Sequence, residues 1–109
     1  MKVIALQKVT DYLERLMLIL YEKEYFGFKE DARKYVRDLY ADIEQNLPTH
    51  RHRPAPTYFD KYGKNMRYAV FKKNRRTHWY VFFRAYKKDN EIIYQIRYIG
   101  NNHTIAQYL

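Results

Sequence analysis

Cysteine is absent from the 109-residue chain. A disulfide framework, an iron–sulfur cluster and a thiolate zinc site are therefore excluded. Long apolar runs are absent too. The longest strongly apolar stretch, Leu16-Met17-Leu18-Ile19-Leu20-Tyr21, is far short of the roughly 20 residues that span a bilayer. Residues 1–6 (MKVIAL) carry no extended apolar region and no small-residue cleavage site, so no secretory signal is expected. Glycine and proline number three each, and no repeat or low-complexity tract interrupts the chain. Acidic residues are scarce in one part: residues 48–109 contain only Asp60, Asp89 and Glu91. Apolar and aromatic side chains are plentiful, at 47% and 18%. That is enough to bury a core against chain entropy, which excludes a disordered protein. The length predicts one domain, residues 1–109, in a soluble cytoplasmic protein without membrane association.

The charge is segregated. Residues 1–47 hold 8 basic and 9 acidic side chains, a balance of −1. Residues 48–109 hold the other 13 of the 21 basic and 3 of the 12 acidic side chains, a balance of +10. All four histidines, His50, His52, His78 and His103, also lie there. Such a distribution predicts one strongly electropositive surface, suited to a polyanion or an acidic protein. A charge serving solubility alone does not require segregation.

Hydrophobic spacing then sorts the elements. Ala32, Tyr35, Val36, Leu39, Ile43 and Leu47 recur at i, i+3, i+4, i+7, which predicts a helix over 29–47. Glu30 and Asp31 complement its dipole and Pro48 stops it. Leu13, Leu16, Met17 and Leu20 predict an earlier helix over 10–24, with Thr10 as its N-cap. The short Tyr25-Phe26-Gly27-Phe28 connection makes the two an antiparallel hairpin. Residues 2–6 form a candidate short strand. Residues 48–64, with all three prolines and Gly63, read as a loop. Three strand-like runs follow, 67–73 (RYAVFKK), 78–86 (HWYVFFRAY) and 92–99 (IIYQIRYI), separated by the turn signals Asn74-Arg75-Arg76 and Lys87-Lys88-Asp89-Asn90. A tail, 104–109, has room for one helical turn. The expected architecture is α+β: a helix hairpin packed on a three- to four-stranded antiparallel sheet.

Alternation assigns the faces. Trp79, Val81, Phe83 and Ala85 form one apolar row, and Ile92, Tyr94, Ile96 and Tyr98 another. Both are expected against the helices. The opposite face is then expected to be open and to carry Arg84, Arg97, Gln95 and several rings. Cations pair with phosphates, and aromatic rings stack on unpaired bases. Lys73, Arg75, Arg76, Tyr80 and Tyr86 are candidate RNA contacts on this reading. A solvated sheet edge guarded by hairpin charges is the alternative. His50-Arg51-His52 invites a metal site, but no cysteine or suitably spaced carboxylate completes it, and a solvated loop is the expectation. Cations beside an imidazole favour its neutral form, which would suit His103 to proton transfer near neutral pH. An ordinary polar residue near a chain end is the alternative.

This layout resembles the RelE/ParE toxin superfamily. The residues that carry the likeness are Tyr62-Gly63, Arg67-Tyr68-Ala69-Val70-Phe71, Thr77-His78-Trp79-Tyr80-Val81-Phe82-Phe83 and Ile96-Arg97-Tyr98-Ile99-Gly100-Asn101-Asn102-His103. The resemblance implies the toxin of a type II toxin–antitoxin pair, with an acidic antitoxin as partner. RelE-like members enter the ribosome and cut messenger RNA by 2′-hydroxyl attack, with no cofactor and no metal. On that likeness Lys72 matches the basic residue ending the second strand, and His103 the C-terminal catalytic group. Arg97 or Arg84 is implied as a phosphate stabiliser. Strong nucleases of the family carry an Arg early in the middle strand, where this chain has His78-Trp79; on the nuclease reading His78 substitutes for it as a catalytic residue. ParE-like members lack the nuclease cluster and inhibit DNA gyrase. A non-enzymatic nucleic-acid-binding module is the third reading.

Overall fold

Strand β1 (Lys2–Ala5) runs straight into helix α1 (Gln7–Glu22) through Leu6 alone. The computed structural model describes residues 1–23 and 26–109. The expected helix end at Glu24 and the Tyr25 of the expected connection lie outside the described residues. Thr10 is not the cap of α1. The Leu6 carbonyl accepts from the Val9 and Thr10 amides (2.9 and 3.2 Å), and the Thr10 hydroxyl bonds back to it at 3.5 Å. The helix begins earlier because its buried stripe begins earlier, at Val9, followed by Leu13 and Leu16. Helix α2 (Lys29–Asn46) buries Ala32, Val36, Leu39 and Ile43. A 3-10 turn holding Pro48, Leu47–Thr49, ends it.

The remaining strands are β2 (His52–Pro54), β3 (Arg67–Lys72), β4 (His78–Lys88) and β5 (Glu91–Asn101). The sheet order is β1-β5-β4-β3-β2. The fold is therefore α+β, but its sheet is five-stranded and mixed, not three- to four-stranded and antiparallel. The meander β3-β4-β5 is antiparallel as expected, while β1 lies parallel to β5. A parallel neighbour needs a long crossover, which the helices supply. The fifth strand comes from the segment expected to be loop. His52–Pro54 pairs with β3, with Pro54 tolerated on the sheet edge. A 3-10 turn, Thr57–Tyr62, follows it.

Both faces of the sheet are covered. Trp79, Val81, Phe83, Ala69, Phe71, Ile96 and Ile99 pack against the helices. The Trp79 indole donates to the Tyr35 hydroxyl at 3.0 Å. Ala85 and Ile92, expected in this layer, are exposed, Ile92 at 43%. They lie where β4 and β5 outrun the buried part of the sheet. The opposite face is not the open cationic layer that alternation predicted. It holds a second core of Phe59, Met66, Phe82 and Ile105, ringed by Tyr62, Tyr68, Tyr80, Tyr98 and Tyr108. Phe59 stacks on Phe82 at 4.3 Å, and Tyr62 on Tyr98 at 4.0 Å. Tyr98 belongs to this side because of a β-bulge. Phe82 pairs with Tyr98 but Phe83 with Ile96, so Arg97 is an extra residue. The bulge lets Ile96 and Ile99 both face the helices and turns Tyr98 the other way.

Candidate nucleic-acid interface

Lys72 ends β3, and the turn from it to β4 contains Lys73, Arg75 and Arg76. Asn74 makes it rigid: its side-chain oxygen accepts from the Arg76 and Thr77 amides at 2.8 and 2.9 Å. The Lys73 amide closes the turn onto the Thr77 carbonyl at 3.1 Å. Lys72, Arg75 and Arg76 are exposed, while the half-buried Lys73 lies over the Tyr35 ring at 5.4 Å. Among the described residues none of these cations is in an ion pair; the three salt bridges join Met1 to Glu91, Arg33 to Glu30 and Lys34 to Asp38. Lys34 holds the Asp38 carboxyl below the usual carboxylate range, and Lys73 adds to the effect. That acid is already bonded to Lys34 at 2.8 Å.

The C-terminal segment is pinned to this turn. Asn102 accepts from the His78 amide (2.9 Å) and donates to the Arg76 carbonyl (3.0 Å). Asn101 accepts from the His103 amide at 2.9 Å and so starts the short helix α3 (Asn102–Ile105). Gly100 lets that helix fold back. A Cβ there would stand 3.2 Å from atoms of both Ile105 and Tyr98. The result sets the His103 imidazole beside the Thr77 hydroxyl, 3.5 Å from Nε2 to Oγ1. Beside His103 opens a cleft of about 540 Å³, walled by Tyr12, Tyr35, Trp79, Asn74 and Asn101, with Lys23 also lining it.

The expected site residues divide into two groups. Lys72 and His78 are cross-strand partners at this end of the sheet, and Lys73, Arg75, Arg76 and His103 join them there. Tyr80, half-buried, packs into the second core close by. Arg84 does not join them. It lies six residues along β4 from His78, roughly 20 Å away at about 3.3 Å per residue. Tyr86, 40% exposed, is further still, towards the Lys87–Lys88 end. Arg97 is committed to the fold. Its Nε donates to the Tyr62 carbonyl and one terminal nitrogen to Gln95 Oε1, both at 2.7 Å. The expected single surface carrying Arg84, Arg97, Lys72 and His103 is thus not formed, because the bulge draws Arg97 inward and strand length separates Arg84.

Sequence reasoning missed Asn74, Asn101 and Asn102. Their signal was present, since Asn clusters mark caps and side-chain turns. What it lacked was the partner: Asn102 reaches a turn 26 residues earlier. The two loop histidines are each engaged separately. His50 donates to the Val70 carbonyl at 2.7 Å and stacks on Phe71. His52 accepts from Arg67, and burial followed by that guanidinium holds it below the usual imidazole range. Among the described residues no group of three or more potential ligands converges on a metal position, and no helix is long and apolar enough to cross a membrane.

No family model matches this chain, and no curated protein or solved structure matches it either. The chemistry of the site therefore rests on its residues. Unpaired cations on a rigid turn can hold phosphates. An aromatic-walled cleft can take a base. An imidazole against a hydroxyl can move a proton.

Proposed function

We propose that this chain is the toxin of a type II toxin–antitoxin pair, of the RelE/ParE kind, and that it cuts messenger RNA on the ribosome. The observation that carries the proposal is the gathering of Lys72, Lys73, Arg75 and Arg76, free of acidic partners among the described residues, with His78 and His103 at one end of the sheet. The order of elements supports it: a short first strand, two helices, an antiparallel meander and a small C-terminal segment. In the proposed step the RNA 2′-hydroxyl attacks its own phosphate, forming the P–O2′ bond as the P–O5′ bond breaks. His103 takes the hydroxyl proton. Cations of the turn stabilise the charge that builds on the phosphorane. His78 or solvent returns a proton to the departing oxygen. Arg84 and Arg97 have no part in this step. An acidic antitoxin covering the basic turn would neutralise it by charge complementarity.

A second reading is favoured by the separation of Arg84 and Arg97 from that end. A toxin that binds without cutting, in the manner of the gyrase inhibitors, needs no converging cluster. Expression without the neighbouring open reading frame tests the first point; undisturbed growth overturns the toxin proposal. Primer extension on cellular transcripts tests the second. Codon-positioned cuts support cleavage, whereas intact transcripts with damaged chromosomes overturn it in favour of gyrase. His103→Ala and Lys72→Ala are each expected to lower cleavage by ~10²-fold or more.

A further inference from the structure

We propose that a second cavity, of about 210 Å³ between α1 and the end of β5, binds a phosphate dianion, free or carried as a terminal monoester, through Lys8, Arg15 and Arg97. The site is separate from the His103 cleft and does not rest on the RNA reading. Tyr12, Tyr62 and Tyr98 also line it. The topology opens it. Strand β1 stops pairing with β5 at Ala5–Ile96, so past Ile96 the edge of β5 has α1 beside it instead of a strand. Lys8, Tyr12 and Arg15 recur at i, i+4, i+7 on one stripe of α1 and reach that edge. Arg97 is the bulge residue of β5, and a bulge re-aims a side chain.

Arg97 carries the argument. It is half-buried, and both of its partners are neutral: the Tyr62 carbonyl and Gln95 Oε1, each at 2.7 Å. A charge withdrawn from water is ordinarily paired. Here two bonds orient the guanidinium and leave its charge uncompensated. Gly63 makes room for it, since a Cβ there would stand 2.6 Å from Arg97 Nε. The Lys8 ammonium lies at the same place, 5.6 Å from the centre of the Tyr62 ring. Among the described residues no acidic side chain lines the cavity, and none of its three cations is in an ion pair. Asp11, between Lys8 and Tyr12 on α1, accepts from the Gln7 side chain at 3.0 Å. The hydroxyls add donors. Burial first, then Tyr62 and Tyr12, push the Tyr98 phenol up to about 12, and burial raises the Tyr12 phenol against the pull of Arg15. These phenols keep their hydrogens at neutral pH. The volume is below the roughly 300–1,000 Å³ of sites that enclose a drug-sized ligand, which suits a phosphate group and not a whole nucleotide. Donors arriving from a helix, a strand and a 3-10 turn suit a tetrahedral oxyanion over a planar carboxylate. Three positive charges favour a dianion over the single charge of a phosphodiester.

The experiment follows the N–H signals of the full chain, backbone and arginine side chain, by proton–nitrogen correlation NMR at constant ionic strength. Inorganic phosphate replacing chloride is expected to shift the Arg97 Nε–H and Gly63 amide signals saturably, with a Kd of about 1 mM or tighter. The Lys8→Gln/Arg15→Gln double variant, at two exposed positions, is expected to keep the fold and to weaken phosphate binding by at least about tenfold. Lys87→Gln/Lys88→Gln removes the same charge at the far end of β4 and is expected to change it by less than about twofold. Deoxyoctamers with and without a 5′-phosphate distinguish the sources. A shift at Arg97 from the phosphorylated octamer alone identifies the end of a strand. Saturation by inorganic phosphate, with neither octamer reaching Arg97, identifies a free ion. Either result supports the site. Equal shifts at Arg97 from the two octamers overturn it in favour of ordinary backbone contact. No saturable shift at Arg97, or an equal loss in the two double variants, overturns it outright. The nucleic-acid reading, which stands on residues 72–76 and His103, is untouched by that failure.

Discussion

Replacing Phe59 by Ala tests whether the second face of the sheet is a true core. Phe59 is fully buried although it sits in a segment rich in proline and polar residues. It stacks on Phe82 at 4.3 Å and meets Tyr58 edge-on at 5.0 Å, with Tyr98 tilted at 6.2 Å. Truncation would remove the ring from between a strand and the 3-10 turn, leaving a cavity that stacked aromatics cannot readily collapse into. Buried Phe→Ala changes of this kind cost about 3–5 kcal/mol. Set against the roughly 5–15 kcal/mol that holds a domain of this size together, the variant should fold but be severely weakened. Urea unfolding followed by Trp79 fluorescence reads the loss from the helix-facing core, where no contact to Phe59 confuses the signal. With a slope of about 2 kcal/mol per molar urea, the midpoint should fall by about 2 M. Ile92→Ala, on an exposed large side chain, is the matched control and should move it little. A Phe59→Ala loss below about 1 kcal/mol would mean that the turn is a loop resting on an open face, and would refute the two-core description.

Burial, with the neighbouring Tyr62 adding to it, pushes the Tyr98 phenol up to about 12. The unfolded chain releases that proton near pH 10 and the folded chain holds it to about 12, so stability is full below pH 10 and falls between the two. Tyr98→Phe should flatten that fall in urea midpoints measured against pH; an unchanged slope would discount the burial of Tyr98. Gly63 has φ 151°, and a Cβ there would stand 2.6 Å from Arg97 Nε. Gly63→Ala should cost about 1–3 kcal/mol by thermal melt, against little change for Gly27→Ala, where a Cβ meets nothing within 4 Å. Asn102→Ala removes two hydrogen bonds that tie α3 to the β3–β4 turn. It should cost about 1–3 kcal/mol, while Asn102→Asp, which retains the bond from the His78 amide, should cost less.

Helix α2 and the helix-facing row of β4 were legible because each is set by local periodicity: Ala32, Val36, Leu39 and Ile43 at helical spacing, Trp79, Val81 and Phe83 at strand spacing. The bulge was not. Tyr94, Gln95, Ile96, Arg97 and Tyr98 alternate, only Ile99 departs from the pattern, and it is the pairing with Phe82 and Phe83 that shows Arg97 to be an extra residue. That one residue moved Tyr98 to the opposite face and took Arg97 out of the expected cluster. Phe59 was hidden for a related reason. Its neighbours Pro54, Pro56 and Gly63 announce irregular backbone, and irregular backbone says nothing about whether one ring within it is anchored on a sheet. At the site, Lys72 and His78 could be read as ends of adjacent strands joined by a short turn. The role of Asn102 could not, since its amide bridges 26 residues of sequence.

The charge segregation read from the sequence takes a different form in three dimensions. Strand β4 spans His78–Lys88, so the turns at its two ends stand about 30 Å or more apart. The cations of residues 72–76 gather at one end, and Lys87 and Lys88 lie at the other. The far end also carries Asp89 and Glu91, and Glu91 faces the chain's own amino terminus at 3.7 Å. The near end has no acidic residue between Asp60 and Asp89 in sequence. A polyanion approaching within a Debye length of about 8–10 Å therefore meets a mixed field at one end and a mainly positive one at the other, where Asp38, the acid beside Lys73, is already bonded to Lys34. That asymmetry belongs to the position of two turns on one long strand. A positive turn at the His103 end does not require the sheet face to be open, which is why covering that face with a second aromatic core is compatible with the RNA contact proposed for that end.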